Sequence, residues 1–232
     1  MKIGDVLKGR LATYLGMDTN DPSLDEHIRR LAFGEASRAV IAMDAGHTVW
    51  LATIEPPEGQ MGPKLLRIRY PANGREIHDA EAFALAGSVA DIMFGWEEEE
   101  PVRYLTLSDR AELGDVNAQH FMECIDGSVR YAKATYVYWT ISQTFSRLCI
   151  NFQAIERIAE CLLELGTVGS GRLRSIFEDC RPMFEHEDES PLRQRMDMAI
   201  TRFQQVFPLR EDEPEFLFEF YIAKHVFSER SA

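Results

Sequence analysis

The chain has 232 residues, 45% of them hydrophobic, with 15 Gly and 10 Pro. That is enough to bury roughly 70% of its unfolded surface in one large domain or two small ones, so neither disorder nor a stabilising metal or disulfide is expected. The formal net charge of −13 argues against nucleic acid or an anionic membrane surface as the principal partner, and no apolar run is long enough to span a bilayer.

Residues 1–22 read as a lead-in helix, with Ile3, Val6, Leu7, Leu11 and Leu15 on one stripe, Gly16 as its stop and a turn at Asp18–Pro22. The longest helix signal follows, from Ser23 to Gly46. Ser23 and Glu26 have the spacing of a capping box, and Gly46 can take the left-handed conformation that ends a helix. At 100° per residue Leu24, Ile28, Leu31, Ala32, Glu35, Ala39 and Ala42 share a face, while Glu26, Arg30, Ser37 and Asp44 fall opposite. A carboxylate therefore sits in the middle of the apolar stripe.

His47–Ile54 is rich in β-branched and aromatic residues and stops at Glu55-Pro56-Pro57, which predicts a strand. Lys64–Tyr70 alternates apolar and basic residues and is expected to pair with it as a β-hairpin. Ala80–Phe94 is a small-residue-rich helix ended by Gly95, and the run Glu97–Glu100 after it is a solvated charged turn. Leu113–Leu148 reads as helical, with a break near Asp126-Gly127; its aromatic residues, Tyr131 to Phe145, suit core packing because no basic cluster accompanies them. Asn151 can cap a helix carrying Phe152, Ile155, Ile158, Ala159, Leu162 and Leu163, closed by Gly166. A short helix at 171–179, a polar linker from Phe184 to Pro191, and helices at Leu192–Phe207 and Glu215–Phe227 complete the chain. The last of these is too apolar to stand free in water.

Four widely spaced cysteines without a Cys-x-x-Cys, and an N-terminus unlike a leader peptide, point to free thiols in a reducing cytoplasm. His47, His78 and His120 lack metal-ligand spacing, and Asp115 and His120 align poorly on a helix. Gly166–Leu173 has the glycines of a phosphate loop. Arg172 and Leu173 stand where it needs Lys and Ser or Thr, and a helix precedes it, so no nucleotide site and no ATPase motif is read.

The helix from Ser23 invites comparison with His-Glu-x-x-His, in which two imidazoles four apart hold zinc and the Glu is general base. Its residues there are Gly34-Glu35-Ala36-Ser37-Arg38. In that frame the chain resembles the peptidase domain of the FtsH-type ATP-dependent zinc metalloproteases, sharing Glu35, Ala36, Ala39 and Val40 with their His-Glu-Ala-Gly-His-Ala-Val. His47–Pro56 with Gly62 is similar to the family's following strand and loop, Leu85–Gly95 to its Leu-Ala-Gly segment, and Ile155–Arg174 to its closing helix pair. Gly114-Asp115-Val116 stands where the family has its acidic third ligand.

The resemblance covers about residues 24–180 and implies a mainly α domain with a small β-hairpin (α+β) over 23–180. Residues 1–22 precede it, and 181–232 form a C-terminal helical extension packing on the body or a partner. It makes Glu35 a vestigial general base and Gly34, Arg38 and Asp115 degenerate zinc-ligand positions. Of three ligands only Asp115 is kept, so no zinc is expected. The implied function is a pseudopeptidase that binds protein or peptide, with self-association implied by the family's rings. Alternatives are an active metallopeptidase with a rearranged zinc ligand set around Glu35 and Asp115, and a purely structural helical protein. Gly34 in a helix costs about 1 kcal/mol relative to Ala, which suggests close packing or a vacated pocket. Arg38 either bridges Glu35 and Asp115 or forms a local pair with Glu35.

Overall fold

The computed structural model of the chain describes residues 5–55, 77–96, 141–180 and 190–206. Its described elements are α1 (Asp5–Leu15), α2 (Leu24–Asp44), β1 (Leu51–Thr53), α3 (Ile77–Phe94), a helical stretch at 141–150, α4 (Phe152–Leu165), β2 (Thr167–Gly169), α5 (Ser170–Asp179) and α6 (Pro191–Val206). The protein is mainly helical with a small two-stranded antiparallel sheet.

α2 is the centre of the packing, with α3 and α4 as its principal neighbours. Leu24, Ile28, Ala32, Ala36, Ala39, Val40 and Ile41 are all fully buried. Each fully buried Leu or Ile is worth about 1.5–3 kcal/mol, so this helix accounts for a large part of the core. The predicted stripe is buried as expected apart from Leu31, which is half-buried. Ser37 departs from it more sharply: placed on the polar side by periodicity, it is completely buried. The rest of the chain covers that side of α2 at Ser37, so the residue has no solvent to face.

The two ends of α2 behave differently from each other. At the C-terminus Gly46 adopts φ +82°, and the amides of Gly46 and His47 donate to the carbonyls of Met43 and Ala42 at 2.9 Å each. That is a Schellman closure, and it satisfies carbonyls that the helix itself cannot. At the N-terminus the expected capping box does not form, because the Ser23 side chain makes no cap bond. Instead Asp21 Oδ1 accepts from Ser23 N at 2.9 Å and from Ser23 Oγ at 2.7 Å, folding the entry as an Asx turn. Asn151 likewise does not cap α4 by its side chain; its Nδ2 donates to the Arg147 carbonyl and to Asp44.

β1 pairs with β2 in the register Leu51 to Gly169, Ala52 to Val168 and Thr53 to Thr167. A strand partner is thus supplied from beyond α4, and the strand is shorter than His47–Ile54. Thr53 Oγ1 and Thr167 Oγ1 lie 2.6 Å apart across the pair, and the amide of Ile54 donates to the Gly166 carbonyl at 2.9 Å. Residues 64–70, expected to form the other strand of a hairpin, lie outside the described residues, as do Asp115, His78 as a side chain, His120, Cys124, the charged turn at 97–100, the linker and Glu215–Phe227.

α1 docks through Leu11 and Ala12 while Val6 stays 79% exposed, against the expected stripe. α6 joins the same core: Met196, Ala199 and Phe203 are buried, with the Phe203 ring stacked on Phe145 at a centroid separation of 3.7 Å. A two-pronged Arg195–Glu156 pair, 2.7 and 2.8 Å, ties α6 to α4. No described helix is long and apolar enough to cross a membrane.

Candidate functional site

The residues singled out by the motif lie at the crossing of α2 and α3, where both helices carry a glycine. A methyl placed on Gly34 would come 3.9 Å from Gly87 Cα, an ordinary contact distance. Gly34 therefore faces the α3 backbone at Gly87, in keeping with the packing reading of Gly34. A methyl placed on Gly87 would meet something quite different, the Arg38 guanidinium, at 2.6 Å from Nη2 and 3.1 Å from Cζ. Arg38 thus lies against the α3 backbone in the space that any other residue at 87 would fill.

Glu35 is 1% exposed, and its Oε1 accepts a bond from Arg38 Nη1. Removing a carboxylate from water costs several kcal/mol unless partners compensate, and Arg38, one turn further on, is a compensating cation among the described residues. The local pair expected from the spacing is present. The bridge to Asp115 falls outside the described residues. Arg38 keeps 18% of its side-chain surface, so the pair sits at the mouth of the crossing and is not sealed within it.

Zinc, which the resemblance implies, does not fit the donor chemistry of these positions. Gly34 offers no side-chain donor, and Arg38 brings a permanent cation already bonded to the Glu35 carboxylate. No three His, Cys, Asp or Glu converge on a metal site among the described residues.

A second charged site on α2 was not legible in the sequence. Arg147, 8% exposed, donates from Nε to Asp44 Oδ2 at 2.6 Å and from Nη2 to the Ile41 carbonyl at 3.1 Å, while Asn151 Nδ2 reaches Asp44 Oδ1 at 3.3 Å. The cation lies at the helix C-terminus, where the backbone dipole favours it and α2 has no basic residue of its own in the last turn. The available signal was an Arg directly before the apolar Leu148, Cys149 and Ile150. Nothing local named Asp44 as its partner.

Of the cysteines, Cys149 is buried, and burial pushes its thiol well above the usual range; burial also raises Cys180. Neither is disposed to act as a thiolate nucleophile. His47 is buried at the end of α2, where its amide closes the helix.

Comparison of the chain with protein-family models finds no match, and comparison with curated proteins finds none either.

Proposed function

We propose that the chain is a catalytically degenerate relative of the FtsH-type zinc peptidases, working by binding protein or peptide at the α2–α3 crossing. The observation that carries this reading is the engagement of Glu35 by Arg38. A general base must be available to take a proton from water, and in this helix the carboxylate is buried and bonded to a cation standing where the second imidazole of the motif would be. Gly34, at the first imidazole position, is used for helix packing. What remains is a partly open polar site between two closely packed helices, suited to recognition and lacking the parts for hydrolysis.

Elemental analysis of protein purified without chelator tests the reading, alongside hydrolysis of an unfolded protein such as casein. The expected result is far less than one zinc per chain and no chelator-sensitive cleavage. One zinc per chain, lost on Asp115→Asn, would overturn it and establish a rearranged ligand set.

A further inference from the structure

We propose that the Arg38 guanidinium is the anchor for a carboxylate carried by the bound peptide, an inference that rests on reading the α2–α3 crossing as a binding site. A guanidinium has five N–H donors in a fixed fork. Here Nη1 bonds to Glu35 Oε1, and no other acceptor among the described residues reaches the group. Nε and Nη2 are not among the side-chain atoms sealed from solvent without a partner, and the side chain as a whole is 18% exposed. Those donors are met by solvent, and a ligand that brings acceptors takes the place of that water.

The group is also held in place. Its Nη2, Cζ and Nε would lie 2.6, 3.1 and 3.5 Å from a methyl on Gly87, so the plane rests against α3 while Nη1 is fixed by Glu35. A ligand engaging it would find little rotamer freedom left to freeze, which favours affinity. The remaining donors match the two oxygens of a carboxylate better than the single oxygen of an amide. Glu35, one helical turn away, opposes the incoming negative charge and sets the affinity below what Arg38 alone would give. The carboxylate can be a peptide C-terminus or an Asp or Glu side chain.

The test follows the Arg38 Nε–H signal by 15N NMR, assigned by its loss in Arg38→Lys, while three probes are titrated. These are acetyl-triglycine with a free C-terminus, the same peptide as its amide, and acetyl-Gly-Asp-Gly amide. Saturable shifts with either carboxylate and none with the triglycine amide support the anchor, the stronger of the two naming the source. Glu35→Gln, which removes the opposing charge and keeps an acceptor for Nη1, is expected to tighten carboxylate binding on the order of fivefold. A response that the amide reproduces, that never saturates, or that weakens in Glu35→Gln overturns the proposal. So does an unmoving signal in both proteins, which would mean the donors are occupied within the chain. A zinc-free, non-hydrolytic protein with no such shift removes the anchor alone, whereas one zinc per chain removes the binding-site reading beneath it.

Discussion

Three arginine–carboxylate pairs involve α2 among the described residues; Arg30 with Asp91 ties it to α3, and the other two are built on opposite plans. Arg147 reaches α2 from the stretch at 141–150 and spends its donors on a carboxylate and a backbone carbonyl, with Asn151 bracing the same carboxylate. Arg38 pairs with a residue three positions away on its own helix and rests its remaining nitrogens against a glycine. The first arrangement joins two distant parts of the chain and closes a helix end. The second joins nothing in sequence terms, and its donors stay open to solvent. A charged pair that is saturated reads as construction, and one that is held but unsaturated reads as a place for something else to bind.

The comparison breaks most visibly at Arg147. Arg147→Met keeps the apolar stem but leaves Asp44 and the Ile41 carbonyl without the cation, and a part-buried carboxylate stripped of its partner is expensive. The expected loss is about 2–4 kcal/mol, or roughly 5–15 °C in Tm for a chain of this size, read from urea and thermal unfolding. An unchanged midpoint would show that the Arg147 network adds no stability and would remove the distinction drawn from it.

The two glycines at the crossing offer a smaller, signed test. Gly34→Ala adds a methyl at an ordinary contact distance and removes a helix-interior glycine, so it should stabilise by about 0.5–1 kcal/mol. Gly87→Ala gains the same helical preference but drives its methyl into the guanidinium, and the net result should be a loss of about 1 kcal/mol. In an Arg38→Met background the obstacle changes to a flexible apolar chain, and Gly87→Ala should turn neutral or favourable relative to that background. If urea midpoints show both glycines responding alike, Arg38 is not packed against residue 87.

How much of this could be read from the residues depends on distance along the chain. The Glu35–Arg38 pair and the Gly46 stop are local, and helical spacing and glycine chemistry announce them. Ser37 was misplaced because amphipathic periodicity assumes that the side opposite the apolar stripe meets solvent, and at Ser37 that side is covered. β2 was missed because three residues are too few for alternation to appear, and its partner precedes it by 114 positions at the Thr53–Thr167 pair. The contact of Arg38 with Gly87 likewise depends on which two helices cross and where. The sequence shows only that Gly87 lies in a small-residue stretch able to admit a neighbour.

The remaining contrast lies between the two ends of α2, and it yields the smallest effect. The C-terminal end is held by Arg147 and a glycine closure, whereas the N-terminal entry turns on the Asp21 side chain, hydrogen-bonded by the Ser23 hydroxyl and amide. Those two bonds, the hydroxyl first, lower the Asp21 carboxyl below its ordinary 3.8. A carboxylate whose pKa is depressed on folding contributes stability that is complete above the unfolded value and is lost as pH falls through the folded one. Asp21→Asn keeps an acceptor for Ser23 but not the charge. Its deficit against the native chain should therefore hold steady from pH 7 down to about pH 5 and shrink as the pH drops below 3.8, measured as the difference in urea midpoint. A deficit that persists unchanged into acid would assign the entry turn to hydrogen-bond geometry, with the charge of Asp21 contributing nothing. The entry turn itself would then be closed by neutral backbone geometry, like the glycine closure at the other end.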